Sequence, residues 1–480
     1  MATGDTTGVE ALLQSVEASL HRTDPSPIVF DAELFEHLAA QLLIQRAGLA
    51  LLGGDLDGTS RFAAQALALV EPADHFRRGS ATALIALARW AGGDLDTAVR
   101  YYTEAISALV TADHVPDMLG CSLALADIQI AQGKLSDATR TFESGLRWTT
   151  EHPGLRGAAD MHAGLSEVLI ERNDLDAAAS HLETSNELGE SAGLPQHAYR
   201  WRVTMARLLR AYGDIDGALE LIDQAAPLYD TDFSPPVRPV AAIRARVQLA
   251  QGDLRSALAW VSERGLTTDD ELSYVHEYEH ITLTQILIAQ HGKTPSTSAL
   301  DAAIGMLDRL LVAAENGGRT GTAIEVLILR ATAYDAHGDT SAATEALADA
   351  LVRAELEGHI RLFLHAGLSV TSLLRSVSSG DDATAYARRV LAAIEDTAAS
   401  PPSEPAKDTR RVGRGAFVDE LSSRELDVLR LLRSELSGPE IARELHVSMN
   451  TLRTHTKNVY TKLGATSRRE ATRRASEHGL

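Results

Sequence analysis

Residues 92–98 read GGDLDTA, and the same pattern returns as QGKLSDA (132–138), RNDLDAA (172–178), YGDIDGA (212–218) and QGDLRSA (251–257). Weaker copies are GGDLDGT (53–59), HGKTPST (291–297) and HGDTSAA (337–343). Anchored on the second residue of each copy, the positions are 54, 93, 133, 173, 213, 252, 292 and 338, so the steps are 39, 40, 40, 40, 39, 40 and 46. A fixed period of this size predicts a helical solenoid, in which each unit buries its apolar face only against its neighbours.

Each position in the pattern has a physical role. An alanine- and leucine-rich stretch such as LGCSLALADIQIAQ (119–132) precedes the anchor and predicts a helix. The anchor glycine, or Asn173 in one copy, is expected to take the left-handed conformation that ends that helix. Asp55, Asp94, Asp174, Asp214, Asp253 and Asp339 follow directly and suit the cap of the next helix. Alanine five residues after the anchor (Ala98, Ala138, Ala178, Ala218, Ala257, Ala343) allows two helices to approach closely. The chain is therefore expected to be all-α, with about eight helical hairpins over residues 1–397. In composition and turn chemistry they resemble tetratricopeptide units of lengthened period. The extra residues are placed in loops such as YDTDFSPPVRPV (229–240), and those of the 46-residue step near GKTPSTSA (292–299).

One stretch argues for different chemistry. VHEYEHI (275–281) contains H-E-x-x-H, a pattern in which two histidines four apart on a helix hold zinc and the glutamate activates its water. The pair falls in the first helix of the seventh hairpin. The slot of His280 is held elsewhere by Ala81, Cys121, Met161, Trp201, Val240 and Val326, whereas that of His276 varies in character. The continuation ITLTQILIAQ offers no third ligand. The motif is read as a chance match on a repeat helix, with His280 in a packing slot and His276 solvated, and no metal is expected. No G-x-x-x-x-G-K-[ST] occurs, since NGGRTGTA (316–323) lacks the lysine. Cys121 lies in an apolar helix and reads as core. No cofactor and no enzymatic activity are expected. The segment Gln196–Arg202 (QHAYRWR) is the densest polar-aromatic patch of the array, and hairpin packing with a solvated face is the favoured reading over a ligand groove.

The 480 residues carry a net charge of −21, unevenly spread. Residues 407–480 hold 15 Lys+Arg against 10 Asp+Glu, a balance of +5, which leaves −26 for the rest. No acid occurs from His446 to Arg469, and such a local basic stretch, not the average, decides whether a segment meets phosphate. A single cysteine, no signal-like N-terminus and no apolar run near 18 residues predict a soluble cytoplasmic protein that does not span a membrane.

Proline and charge in AASPPSEPAKDTRRVGRGAF (398–417) predict a linker. Beyond it, Ser422 with Glu425, Ser437 with Glu440 and Ser467 with Glu470 have capping-box spacing. With Ser448 as a further cap, they predict four helices near 423–434, 438–446, 449–463 and 468–478. On the third, Leu452, Thr456, Val459 and Leu463 share the face that must be buried, and Arg453, Thr454, Lys457, Asn458 and Thr461 share the opposite one. Such a helix suits a major groove.

The segment 418–480 resembles the helix-turn-helix domain of LuxR-type regulators. The likeness rests on Leu421-Ser422-x-Arg424-Glu425, Glu440-Ile441-Ala442-x-x-Leu445, Ser448-x-x-Thr451-Leu452-Arg453-x-His455, Lys462-Leu463-Gly464 and Ser467-Arg468-x-Glu470-Ala471. The resemblance implies base contacts from Arg453, Thr454 and Lys457, and phosphate contacts from Thr451, Asn458 and Lys462. It also implies double-stranded DNA as partner, a homodimer through the last helix, and RNA polymerase as the machinery addressed. Gly438-Pro439 departs from the family's frequent Asn-Lys, and Arg453 from its frequent Lys. A hairpin array before such a domain also looks like the C-terminal half of the large ATP-binding regulators of the maltose-activator (MalT) type, without their ATPase module. The resulting expectation is a sequence-specific transcriptional regulator whose array senses a small molecule or a protein. The alternatives are an interaction adaptor with accessory DNA binding, or a C-terminal piece of a larger ATP-dependent regulator.

Overall fold

The computed structural model describes residues 8–20, 37–152, 156–189, 192–229, 234–365, 368–378 and 385–399, with residues 429, 431, 432, 441 and 456 beyond them. The chain divides into two compact units, 1–401 and 402–480. Regular structure among the described residues is helical throughout.

In the first unit the repeat takes the form of eight antiparallel hairpins, from Leu38–Leu52 with Leu56–Leu69 to Thr320–His337 with Thr340–Glu355. The expected turn chemistry holds in seven of them. Gly54, Gly93, Gly133, Asn173, Gly213, Gly252 and Gly338 all have positive φ, between 62° and 89°. All six predicted aspartates cap the helix that follows; Asp55, for example, accepts from the Gly58 amide at 2.8 Å. The six repeat alanines are fully buried where paired helices cross. Asp55→Ala is expected to lower stability by about 0.5–2 kcal/mol, because it leaves a helix-end amide without its acceptor, and urea unfolding would measure the loss.

The seventh turn departs from expectation. Gly292 does not end its helix, which runs from Glu277 to Lys293 and stops at Thr294, with φ −137° and ψ 94°. Pro295 explains the difference, because the residue before a proline is pushed out of helical geometry. Ser296 then caps Thr297–Asn316, a second helix of 20 residues that takes up much of the 46-residue step.

Curvature brings the ends of the array together. Trp90 Nε1 in the second hairpin donates to Tyr274 Oη at 3.0 Å, just before the seventh. After the eighth hairpin, the segment from Glu357 to Arg361 docks on the turns of the third to fifth. Glu357 Oε2 accepts from the Ser136 amide at 2.8 Å, His359 Nε2 meets the Gly133 carbonyl at 3.0 Å, and the Ile360 amide donates to the Glu171 carbonyl at 3.1 Å. Arg361 reaches Asn173 Oδ1 and the Ala211 carbonyl, each at 2.7 Å. The turn glycine is part of the docking surface, because a Cβ on Gly133 would lie 2.7 Å from the Gly321 amide nitrogen. Short helices Arg361–Leu364, Leu368–Ser378 and Ala385–Ala399 follow and pack on the last hairpin around Phe363, Val370 and Tyr386.

In the second unit, Leu429, Leu431, Leu432, Ile441 and Thr456 are helical, and Leu429, Leu432 and Ile441 are buried. Thr451, Arg453, Thr454, Lys457, Asn458 and Lys462 lie outside the described residues.

Candidate functional site in the repeat superhelix

Curvature of the array shapes a partly open cavity of about 720 Å³, within the range of small-molecule sites. Its wall comes from the first helices of the third to eighth hairpins, from the proline-rich loop Ser234–Val240, and from His359, Leu362 and His365 of the closing segment.

The helix His197–Ala211 contributes most, and it resolves the QHAYRWR patch residue by residue. Gln196, Tyr199, Arg200, Val203, Arg207 and Arg210 follow helical spacing along one face and line the cavity. His197 and Trp201 turn into the hairpin, where Trp201 Nε1 donates to the Leu182 carbonyl at 3.0 Å. Packing therefore accounts for His197 and Trp201, and the cavity wall for Gln196, Tyr199 and Arg200. The solvated-face reading fails for Tyr199 and Arg200, because the superhelix folds that face inward.

Charges in the cavity are mostly paired across it. Arg200 grips Asp127 with two bonds, of 2.7 and 2.6 Å. Glu167 accepts from Arg207 at 2.5 Å and from Arg238 at 2.6 Å, so the loop is tied to the fourth and fifth hairpins. Burial works to raise the Glu167 carboxyl, but Arg207, Arg238 and Arg200 overcome it and hold the group at about 2. Arg246 donates to Glu325 at 2.6 Å and to Thr282 Oγ1 at 2.7 Å, and lies 3.7 Å over the Tyr278 ring. Tyr199 and Tyr229 meet edge to face at 5.1 Å. The wall thus offers aromatic faces between fixed charges, a surface for a polar organic ligand.

The H-E-x-x-H residues have structural partners. Glu277 accepts from Arg319 Nη2 at 2.6 Å and Nε at 2.9 Å, and from Thr322 Oγ1 at 2.9 Å. Glu279 is buried and accepts from Arg264 Nε at 2.8 Å, with His276 Nδ1 at 2.9 Å. His280 is 2% exposed, and its Nε2 lies 3.4 Å from Asp270. His276 sits at the helix cap with its side chain 54% exposed. The packing slot and the solvated slot are where the repeat alignment puts them. Cys121 is buried, and burial together with Asp117 pushes its thiol up to about 12, as a core cysteine requires.

A curved superhelix of tetratricopeptide-like hairpins, followed by a separate C-terminal unit, defines the class: a helical-repeat protein with an appended domain. The chain matches the MalT-like TPR region over residues 40–379 and the luxR family of bacterial regulatory proteins over 419–475. It belongs to the MalT-like family of LuxR-type transcriptional regulators. Similar proteins include the HTH-type transcriptional regulator MalT of Yersinia pestis (strain Pestoides F), 25% identical over 474 residues, covering 92% of this chain and 49% of the relative. An HTH-type transcriptional regulator of Mycobacterium bovis is 26% identical over 377 residues, covering 75% of this chain and 39% of the relative. The chain spans about half the length, or less, of these curated relatives. Among solved structures, a Rap protein complexed with Competence and Sporulation Factor shares the repeat fold, with TM-score 0.52 and 12% identity over 72% of this chain and 92% of that one. No helix among the described residues is long and apolar enough to cross a membrane.

Proposed function

We propose that the chain is a sequence-specific DNA-binding regulator whose closed superhelix binds a small effector in its central cavity and so controls the C-terminal domain. The observation that carries this reading is the cavity, lined by Arg238 of the loop and by His359 and His365 of the closing segment. Its wall is drawn from elements more than 200 residues apart, such as Ile130 and Leu362. A ligand that contacts both ends of the closure necessarily biases open against closed forms. Support for DNA as the partner comes from the luxR-family match at 419–475 and from the acid-free stretch 446–469. In this reading residues 398–417 link the repeat domain to a DNA-binding domain at 418–480. Arg453, Thr454 and Lys457 read bases, and Thr451, Asn458 and Lys462 hold phosphates. The protein acts as a homodimer on paired half-sites and addresses RNA polymerase.

The test begins by selecting duplexes from a random library with the full chain and footprinting the winner. Arg453→Ala or Lys457→Ala should each cost about 1–3 kcal/mol of specific binding and relax one half-site position. Lys462→Ala should weaken all duplexes alike and flatten the salt dependence. Unchanged affinity and footprint for both Arg453 and Lys457 variants would remove the recognition-helix assignment. A protein recovered with the repeat domain, in place of a cavity ligand, would turn the sensor into an adaptor.

A further inference from the structure

The charges that line the cavity do not all pair with one another. Five arginines line it: Arg200, Arg207, Arg210, Arg238 and Arg246. Of the five carboxylates that also line it, Glu277 is taken from behind by Arg319, which leaves Asp127, Glu167, Glu171 and Glu325. The first of these pairs with Arg200, the second is shared by Arg207 and Arg238, and the last pairs with Arg246. Glu171 lies 3.6 Å from His359 and 3.8 Å from Arg207. Arg210 is left over. Among the described residues its guanidinium has no ion-pair or hydrogen-bond partner, although it stands on the inner face between Arg207 and Arg246.

His365 faces the same end of the cavity. Its side chain is exposed and opens onto the cavity. Burial and then the charges of Arg210, Arg361, Arg207 and Arg246 hold its imidazole neutral, well below the ordinary histidine range. Burial, followed by Arg246 and Arg207, lowers even Arg210 to about 10. Arg210 is half-buried, and its guanidinium faces the cavity without a counter-charge. In a chain of net charge −21 an arginine left without a partner in a cavity wall is the reverse of the average.

We propose that the effector is a small organic anion whose carboxylate or phosphate group is bound by Arg210 and His365, with its body against Tyr199, Tyr229 and Tyr278. The proposal rests on the cavity being the effector site and adds the chemical class. A planar guanidinium matches either oxyanion with two parallel hydrogen bonds, and His365 supplies a further donor at the same end. Asp127, Glu167 and Glu325 are already held by arginines, so an anion at Arg210 displaces none of those bonds.

Purified full-length protein is titrated by calorimetry and by thermal shift with inorganic phosphate, citrate, glucose 6-phosphate and 4-hydroxybenzoate, each at millimolar concentration. Glucose and 4-hydroxybenzamide serve as neutral counterparts of the last two. At least one anion should raise the melting temperature and bind, and its neutral counterpart should do neither. Arg210→Gln should weaken that anion about 10- to 100-fold while the ligand-free protein melts at the same or a higher temperature, since a repelled charge is removed. His365→Gln should weaken it severalfold, and Arg375→Gln, on the outer surface against Glu395, should leave it unchanged. Binding of a neutral sugar with no response to any anion overturns the anionic class and leaves the effector reading standing. Absence of binding by every probe overturns the proposal, as does equal anion binding by wild type and Arg210→Gln.

Discussion

Arg319→Ala is expected to destabilise the repeat domain by about 3–5 kcal/mol. Arg319 and Glu277 are both 6% exposed and joined by three hydrogen bonds of 2.6–3.1 Å, with Thr322 and the Ala313 carbonyl completing the set. Removing the cation leaves a buried carboxylate with only a hydroxyl to face, and that uncompensated charge dominates the cost. The pair itself is worth far less, because its attraction is set against the desolvation of two ions. Arg319→Met combined with Glu277→Leu should therefore return to within about 1–2 kcal/mol of the parent, or exceed it. Urea unfolding followed by tryptophan emission measures both, read as midpoint shifts at constant slope. A loss below about 1 kcal/mol for the single variant would mean that water reaches Glu277. The site also bears on the cavity: Arg319 lies 5.5 Å over the Tyr274 ring, whose hydroxyl receives the closing bond from Trp90.

Phe142→Ala should cost about 3–5 kcal/mol, the range for emptying a filled aromatic site. Phe142 is fully buried in the second helix of the third hairpin, against Gly164 in the first helix of the fourth. The fit is close enough that a Cβ at Gly164 would overlap the ring. Gly164→Ala alone is thus expected to lose about 1–3 kcal/mol through overpacking. Combined, the two changes should lose less than their sum, because the new methyl enters space the ring vacated. A double-mutant cycle by urea unfolding gives the coupling, and strict additivity would show that the two helices do not hold each other in register. The contact matters for the site because those two hairpins carry Asp127 and Glu167.

Local chemistry was legible in the residues alone. The period, seven of the eight turns, six aspartate caps and the fully buried repeat alanines follow from rules that act over four or five residues. The burial of His280 and the exposure of His276 were also legible, because sibling copies show what each slot holds. The recognition of the C-terminal segment rests on its motif spacing, and its match to the luxR family covers 419–475.

The cavity was not legible, and QHAYRWR shows why. Helical spacing puts Tyr199, Arg200, Arg207 and Arg210 on one face, but spacing cannot say whether that face meets water or an interior. The answer depends on superhelical closure, which is the sum of seven small rotations between hairpins, each set by side-chain packing. The bonds that complete it, Trp90 to Tyr274 and His359 to Gly133, join residues 184 and 226 positions apart. No local pattern encodes such pairs. The unmatched charge of Arg210 was hidden for the same reason, since its neighbours Arg246 and His365 come from other elements. The amino-acid sequence by itself determined the hairpins, because helix periodicity, left-handed turns and caps are short-range. Only the tertiary structure decided which face became a cavity and which arginine was left without a partner, because both follow from rotations accumulated along the whole array.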